Sequence, residues 1–180
     1  SSADTATMMS DSEVLDWLRR VHATTRYTTS VCSGALILAA AGILEGAAAT
    51  THWMAMPGLG AFGVEARPHD RVVRAGKIFT AAGVSAGIDL ALQLVAEVAG
   101  EEHARVTQLL IEYAPEPPFD SGHMDHAAPA IKRRAMREMA VAASNPRDLI
   151  SIPKILLRRW RDVIVRRVRG GAPLALESNG

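Results

Sequence analysis

The segment from Tyr27 to Leu44 constrains this 180-residue chain more than any other. Tyr27-Thr28-Thr29-Ser30-Val31 is short, β-branched and aromatic, as a strand is, and the apolar run Gly34 to Leu44 begins almost at once. A strand that gives way to a helix across Cys32 and Ser33 implies a layered α/β sheet. The remaining pattern agrees. A helix is expected from about Asp11 to His22, with Ser10 capping it and Glu13 at the capping-box position. Ala47 to Thr51 forms a second strand, followed by strand-like runs over Val64 to Arg67, Arg71 to Arg74 and Lys77 to Ala82, the last two joined at Gly76 as in a hairpin. Helical spacing then covers Val84 to Ala99, stopped by Gly100, Glu101 to about Tyr113, and about Pro129 to Ala143.

Composition narrows the function classes. With 48% hydrophobic residues and 20 Lys and Arg against 19 Asp and Glu, the chain can bury a core. That balance argues against binding nucleic acid through bulk positive charge. Cys32 is the single cysteine, which excludes an intramolecular disulfide and a multi-cysteine zinc site and fits a reducing, cytoplasmic setting. The longest uncharged apolar stretch, Ala35 to Leu44, is ten residues, short of the roughly 20 that span a bilayer. Ser1 to Ser10 lack the basic cluster and apolar stretch of a secretory signal. Charge divides the chain: residues 1–149 hold 13 basic and 17 acidic side chains, residues 150–180 seven and two. A domain over 1–143 and a basic tail over 144–180 follow. In the tail, Ile155, Leu156, Leu157, Trp160, Val163, Ile164 and Val168 alternate with arginines, as in an amphipathic helix. Such a helix covers its own domain or, as weaker alternatives in that order, lies on an anionic membrane surface or contacts nucleic acid.

Chemistry concentrates at Ser30-Val31-Cys32-Ser33-Gly34. A cysteine between a strand and the first turn of a helix has the setting of a nucleophile elbow, in which Gly34 lets the helix pack closely and the Ser33 amide faces a developing anion. A helix N-terminus also favours thiolate. The alternative for Cys32 is a small buried hydrophobe. His52, beside Trp53, follows the second strand, so it and Cys32 would project from the carboxyl ends of parallel strands. It is either a partner of the thiol or a structural histidine. At the junction Thr80-Ala81-Ala82-Gly83-Val84-Ser85, small residues permit close approach, and Ser85 either meets a ligand or caps the next helix. His123, Asp125 and His126 lie in one Pro- and Gly-flanked loop without a second ligand cluster, and are read as solvent-exposed side chains, not a metal site.

These segments resemble the ThiJ/PfpI superfamily of class I glutamine-amidotransferase-like proteins, and within it the isonitrile hydratase branch. The matching pieces are Val14 to Arg19, Ser30 to Ala35, Leu44-Glu45-Gly46 with Ala49 to Trp53, Thr80 to Asp89, and Ile111 to Asp120, over about Met8 to Arg137. The resemblance implies a flavodoxin-like three-layer αβα sandwich, a homodimer, and a small-molecule substrate. It implies a thiolate of Cys32 that attacks the terminal carbon of an isonitrile, protonation of the adduct, and conversion of the thioimidate by water to an N-substituted formamide. Cys32, Ser33 and His52 are then the catalytic candidates, and Gly34, Thr51, Trp53, Gly83, Val84 and Ser85 the substrate contacts. No metal or organic cofactor is implied.

Members of the superfamily carry roughly 70 further residues ahead of this point, about two βα units, including an acidic residue against the cysteine and a Pro-Gly-Gly oxyanion loop. The sandwich is therefore expected to be N-terminally truncated, with unpaired strand edges and an impaired reaction. Competing readings are a non-catalytic ligand-sensing or interaction module and a thiol-stress or aldehyde-directed member of the superfamily.

Overall fold

In a computed structural model, the structure describes residues 2–143 and the single positions 155, 157 and 161. The expected amphipathic helix of the basic tail otherwise lies outside the described residues. The elements are, in order, α1 (Ser2–Ser10), α2 (Ser12–Thr24), β1 (Thr28–Val31), α3 (Gly34–Ala40), β2 (Ala48–Ala49), a 3-10 turn (Trp53–Ala55), α4 (Met56–Ala61), β3 (Glu65–Ala66), β4 (Val72–Ala75), β5 (Ile78–Ala81), α5 (Ala86–Ala99), α6 (Glu101–Leu110) and α7 (Pro129–Ala143).

β5 organises the molecule. It pairs in parallel with β1, Ser30 opposite Thr80 and Val31 opposite Ala81, and antiparallel with β4 across the Gly76-Lys77 turn. All four of its residues are buried. Successive side chains of a strand face opposite ways, and the two faces of β5 feed two cores. Ile78 joins Ala35, Leu38, Leu44, Leu59 and Val64 on the α3 side, whereas Phe79 and Ala81 join Ala86 and Leu90 of α5. Helices therefore cover a mixed sheet on both faces, the flavodoxin-like α/β arrangement. The sheet is less continuous than the sequence suggests. β2 and β3 are two-residue strands that pair in parallel with each other, and the Thr80 hydroxyl links this ladder to β5 by accepting the Thr50 amide at 2.9 Å.

Three local expectations need correction. The segment before Asp11 is itself a helix, α1, packed against α3. Asp11, not Ser10, caps α2: its carboxylate accepts the amides of Glu13 and Val14 at 2.9 and 3.3 Å, and Ser10 turns back to donate to Thr7. α3 stops at Ala40, short of Leu44. Gly42, at φ 78°, supplies the left-handed residue of a Schellman end, with Ile43 N–H donating to Leu38 O and Gly42 N–H to Ala39 O.

Two cations lock helix ends into place. Arg19 of α2 donates to Ala41 O at the end of α3, at 2.8 Å. The Lys77 ammonium, beyond the hairpin turn, donates to the carbonyls of His22 and Thr25 at the end of α2. Both place positive charge where a helix presents unpaired carbonyls. The base of β1, and with it the start of the Cys32 segment, is thereby tied to the β4–β5 hairpin.

Candidate functional site

Cys32 follows β1 directly, with φ 58°, a left-handed backbone that a non-glycine residue adopts at a cost of about 1–2 kcal/mol. Neighbouring bonds hold it there. Its amide donates to Ala81 O at 3.1 Å, extending the β1–β5 ladder by one residue, and its carbonyl accepts the Thr51 hydroxyl at 2.7 Å. Thr51 is itself buried, at 1% exposure. The turn is thus pinned from β5 on one side and from the end of β2 on the other. Gly34 opens α3, but a Cβ there would meet Ser30 Cβ at an ordinary 3.5 Å, so the close packing expected of it is not required.

Ser33 occupies the N-cap position of α3 without capping it. Its hydroxyl lies 2.9 Å from that of Thr5, so α1, the helix the sequence did not disclose, reaches the residue beside the cysteine. The hydroxyls of Ser30 and Thr50 are buried and have no hydrogen-bond partner among the described residues. His52 caps the 3-10 turn: its Nδ1 accepts the Met54 amide at 3.4 Å, and its ring tilts against Trp53 at 5.1 Å between centroids. Burial lowers its pKa below the ordinary histidine value, favouring the neutral ring. Its hydrogen bond goes to its own turn, and the route from this segment to Cys32 runs through Thr51.

The third junction differs from expectation in detail. Nothing approaches the place of a Cβ at Gly83, and the close contact falls at Gly87, where a Cβ would stand 3.1 Å from Val31 Cγ1. Val84 is exposed. Ser85 does not cap α5; it accepts Arg71 Nη2 at 3.2 Å. Arg71 also pairs with Asp89, which accepts the Tyr113 hydroxyl at 3.0 Å. No sequence signal marks this link between the start of β4, α5 and the segment after α6, because each residue reads alone as an ordinary surface polar group.

Trp53 lines a cleft of about 370 Å³ with Met56, Pro57, Pro68, His69, His123, Met124 and Asp125. Among the sequence-derived candidates, only Trp53 belongs to that lining. The loop carrying His123 and Asp125 does have a ligand from elsewhere: His69, on the β3–β4 connection, brings the candidate donor atoms of the three residues within 4.8 Å of one another. His123, Asp125 and His126 are solvent-accessible, as expected; the approach of His69 is what the sequence does not signal, because 54 positions separate it from His123, too far for any spacing rule to join them.

A model of the DJ-1/PfpI family matches residues 3–97. The isonitrile hydratase of Pseudomonas putida is 48% identical over 136 residues, which make up 74% of this chain and 58% of that protein. The crystal structure of a ThiJ/PfpI family protein from Pseudomonas syringae superposes with a TM-score of 0.71 at 42% identity, covering 82% of this chain and 60% of that one. Drosophila melanogaster DJ-1beta shares the fold, with a TM-score of 0.56 at 23% identity over 62% of this chain and 59% of its own. The chain thus spans about three fifths of the length of these relatives. No helix among the described residues is long and apolar enough to cross a membrane.

Proposed function

The chain belongs to the DJ-1/PfpI family, and on that premise we propose that it is an isonitrile hydratase-like enzyme whose nucleophile is Cys32. The observation that carries this reading is the backbone of Cys32, a left-handed residue at the end of a parallel strand and the start of a helix. A nucleophile elbow has that form, because the turn lifts the thiol out of the sheet. The identity to the Pseudomonas putida hydratase supports the choice of reaction.

In the proposed reaction, the Cys32 thiolate adds to the terminal carbon of R–N≡C, forming the S–C bond, and that carbon takes a proton to give a thioimidate. Water adds to the thioimidate carbon, and collapse of the tetrahedral adduct breaks the S–C bond, releasing R–NH–CHO and the thiol. The net change is addition of one water. The Ser33 amide is the proposed donor to developing negative charge. The neutral His52 ring is the proposed proton-transfer group, with Gly34, Trp53, Gly83, Val84 and Ser85 as substrate contacts. Thr51, expected as a substrate contact, is buried with its hydroxyl on the Cys32 carbonyl, and its proposed role is instead to hold that carbonyl so that the thiol keeps one direction. A homodimer in the reducing cytoplasm completes the reading; exposed Val106, Leu109, Leu110 and Ile111 in and just after α6 supply apolar surface for self-association.

The test is an assay of the purified chain and Cys32→Ala with a simple alkyl isonitrile, following the N-alkylformamide. The parent should turn over and the variant should fall by at least about 1000-fold. Absence of formamide with the parent, or equal rates for both proteins, refutes the reading.

A further inference from the structure

We propose that His69, His123 and Asp125 form a binding site for a divalent transition-metal ion of the zinc class. Two segments meet there: the β3–β4 connection brings His69, and the connection between α6 and α7 brings His123 and Asp125. Asp125 Oδ2 lies 2.9 Å from His69 Nδ1 and 3.4 Å from His123 Nδ1. Ligands of a four-coordinate zinc ion, bound at about 2.0–2.1 Å, stand about 3.3–3.5 Å apart, so the donors need only small side-chain rotations to close on an ion. Two imidazoles and a carboxylate suit the first-row divalent ions and leave a further position for water or a ligand from the cleft.

The hydrogen bonds in place are ones that an ion would exchange. His123 Nδ1 accepts the Asp125 amide at 3.2 Å, so binding an ion through that nitrogen gives up this bond, or the ring turns to present Nε2. The Asp125 carboxylate lies 2.9 Å from His69 Nδ1, a hydrogen bond that a shared ion would replace. His126 is engaged elsewhere, its Nδ1 lying 3.0 Å from Asp120 Oδ1. Trp53, Met56 and Met124 wall the cleft with apolar surface, which shields a bound charge from water on that side. An ion here would clamp the segment between α6 and α7 to the β3–β4 connection.

The experiment uses the full chain. Zn2+ alone is titrated by calorimetry, Co2+ is followed by its visible spectrum, and limited proteolysis reports on the segment between α6 and α7. One ion per chain should bind, the Co2+ spectrum should show low-symmetry coordination, and cleavage within residues 114–128 should slow when Zn2+ is added. His69→Ala, His123→Ala and Asp125→Ala should each weaken binding by at least about 100-fold, while His103→Ala, on the exposed face of α6, and Cys32→Ala should bind as the parent does. The proposal fails if the parent takes up no Zn2+ at about 100 µM. It fails equally if the three cluster variants bind as the parent does, or if Cys32→Ala removes binding and identifies the thiol as the ligand.

Discussion

The Cys32 turn and the His69, His123 and Asp125 cluster are built by opposite means. At Cys32 the backbone carries the geometry: a five-residue stretch of sequence sets it, β5 pairs with it, and the Thr51 hydroxyl fixes its carbonyl. At the cluster only side chains meet, on two exposed connections far apart in sequence. The first is over-determined and can store a strained φ; the second rests on exposed side-chain contacts, whose loss should cost the fold little. Stability measurements should separate the two.

The largest difference is expected from Phe79→Ala. Phe79 is 2% exposed, meets Tyr27 edge-on at 5.8 Å between centroids and lies under the Arg74 guanidinium at 4.9 Å, in the strand that supports Cys32. Its truncation should cost about 3–5 kcal/mol in urea unfolding. His123→Ala, measured without metal, should cost less than about 0.5 kcal/mol. Comparable losses would mean that the cluster is part of the framework.

Next in size is Thr51→Val, which keeps the β-branched shape and removes the bond to Cys32 O. A loss of about 1–2 kcal/mol is expected, with a fall in formamide formation, since the thiol direction loosens. Unchanged stability would show that β5 alone pins the turn. Thr50→Val acts in the other sense. The Thr50 hydroxyl is fully buried and unpartnered, so replacing it should raise the urea midpoint, by about 1 kcal/mol equivalent. A loss instead would reveal a hydrogen-bond partner, such as ordered water.

Cys32→Gly tests the strain itself. Glycine accepts φ near +58° without penalty, and the gain is partly offset by the wider freedom of the unfolded chain. The variant should be more stable by about 0.5 kcal/mol while making no formamide. Destabilisation would show that the thiol's packing outweighs its backbone strain.

What could be read in the sequence follows the same division. β1, the Cys32 turn, the Gly76 hairpin and the run of α5 lie in contiguous patterns, where periodicity and turn chemistry act locally, and all appear where expected. Belonging to the family was equally legible in those motifs. α1 is not legible because Ser2 to Ser10 has little amphipathic signal, and it is held by tertiary contact with α3. The Ser85 cap failed because Arg71, fourteen positions earlier, competes for the hydroxyl. The His69 partnership and the Asp89–Tyr113 bond depend on where distant loops land, which no local spacing encodes.

The smallest expected effect concerns pH. His22 is held below the ordinary histidine pKa by burial and by the nearby Lys77 ammonium, and His52 by burial. In the unfolded chain both titrate near 6.5. As pH falls through that value the unfolded state takes up protons first, so stability is complete above it and declines toward the lower, folded pKa values. The urea midpoint should therefore be lower at about pH 5.5 than at about pH 8. Because carboxylates add their own slope, the decisive comparison is with the double variant His22→Gln, His52→Gln, whose midpoint should change less over the same interval. An equal decline in the double variant would transfer the pH sensitivity from the framework around Cys32 to other groups.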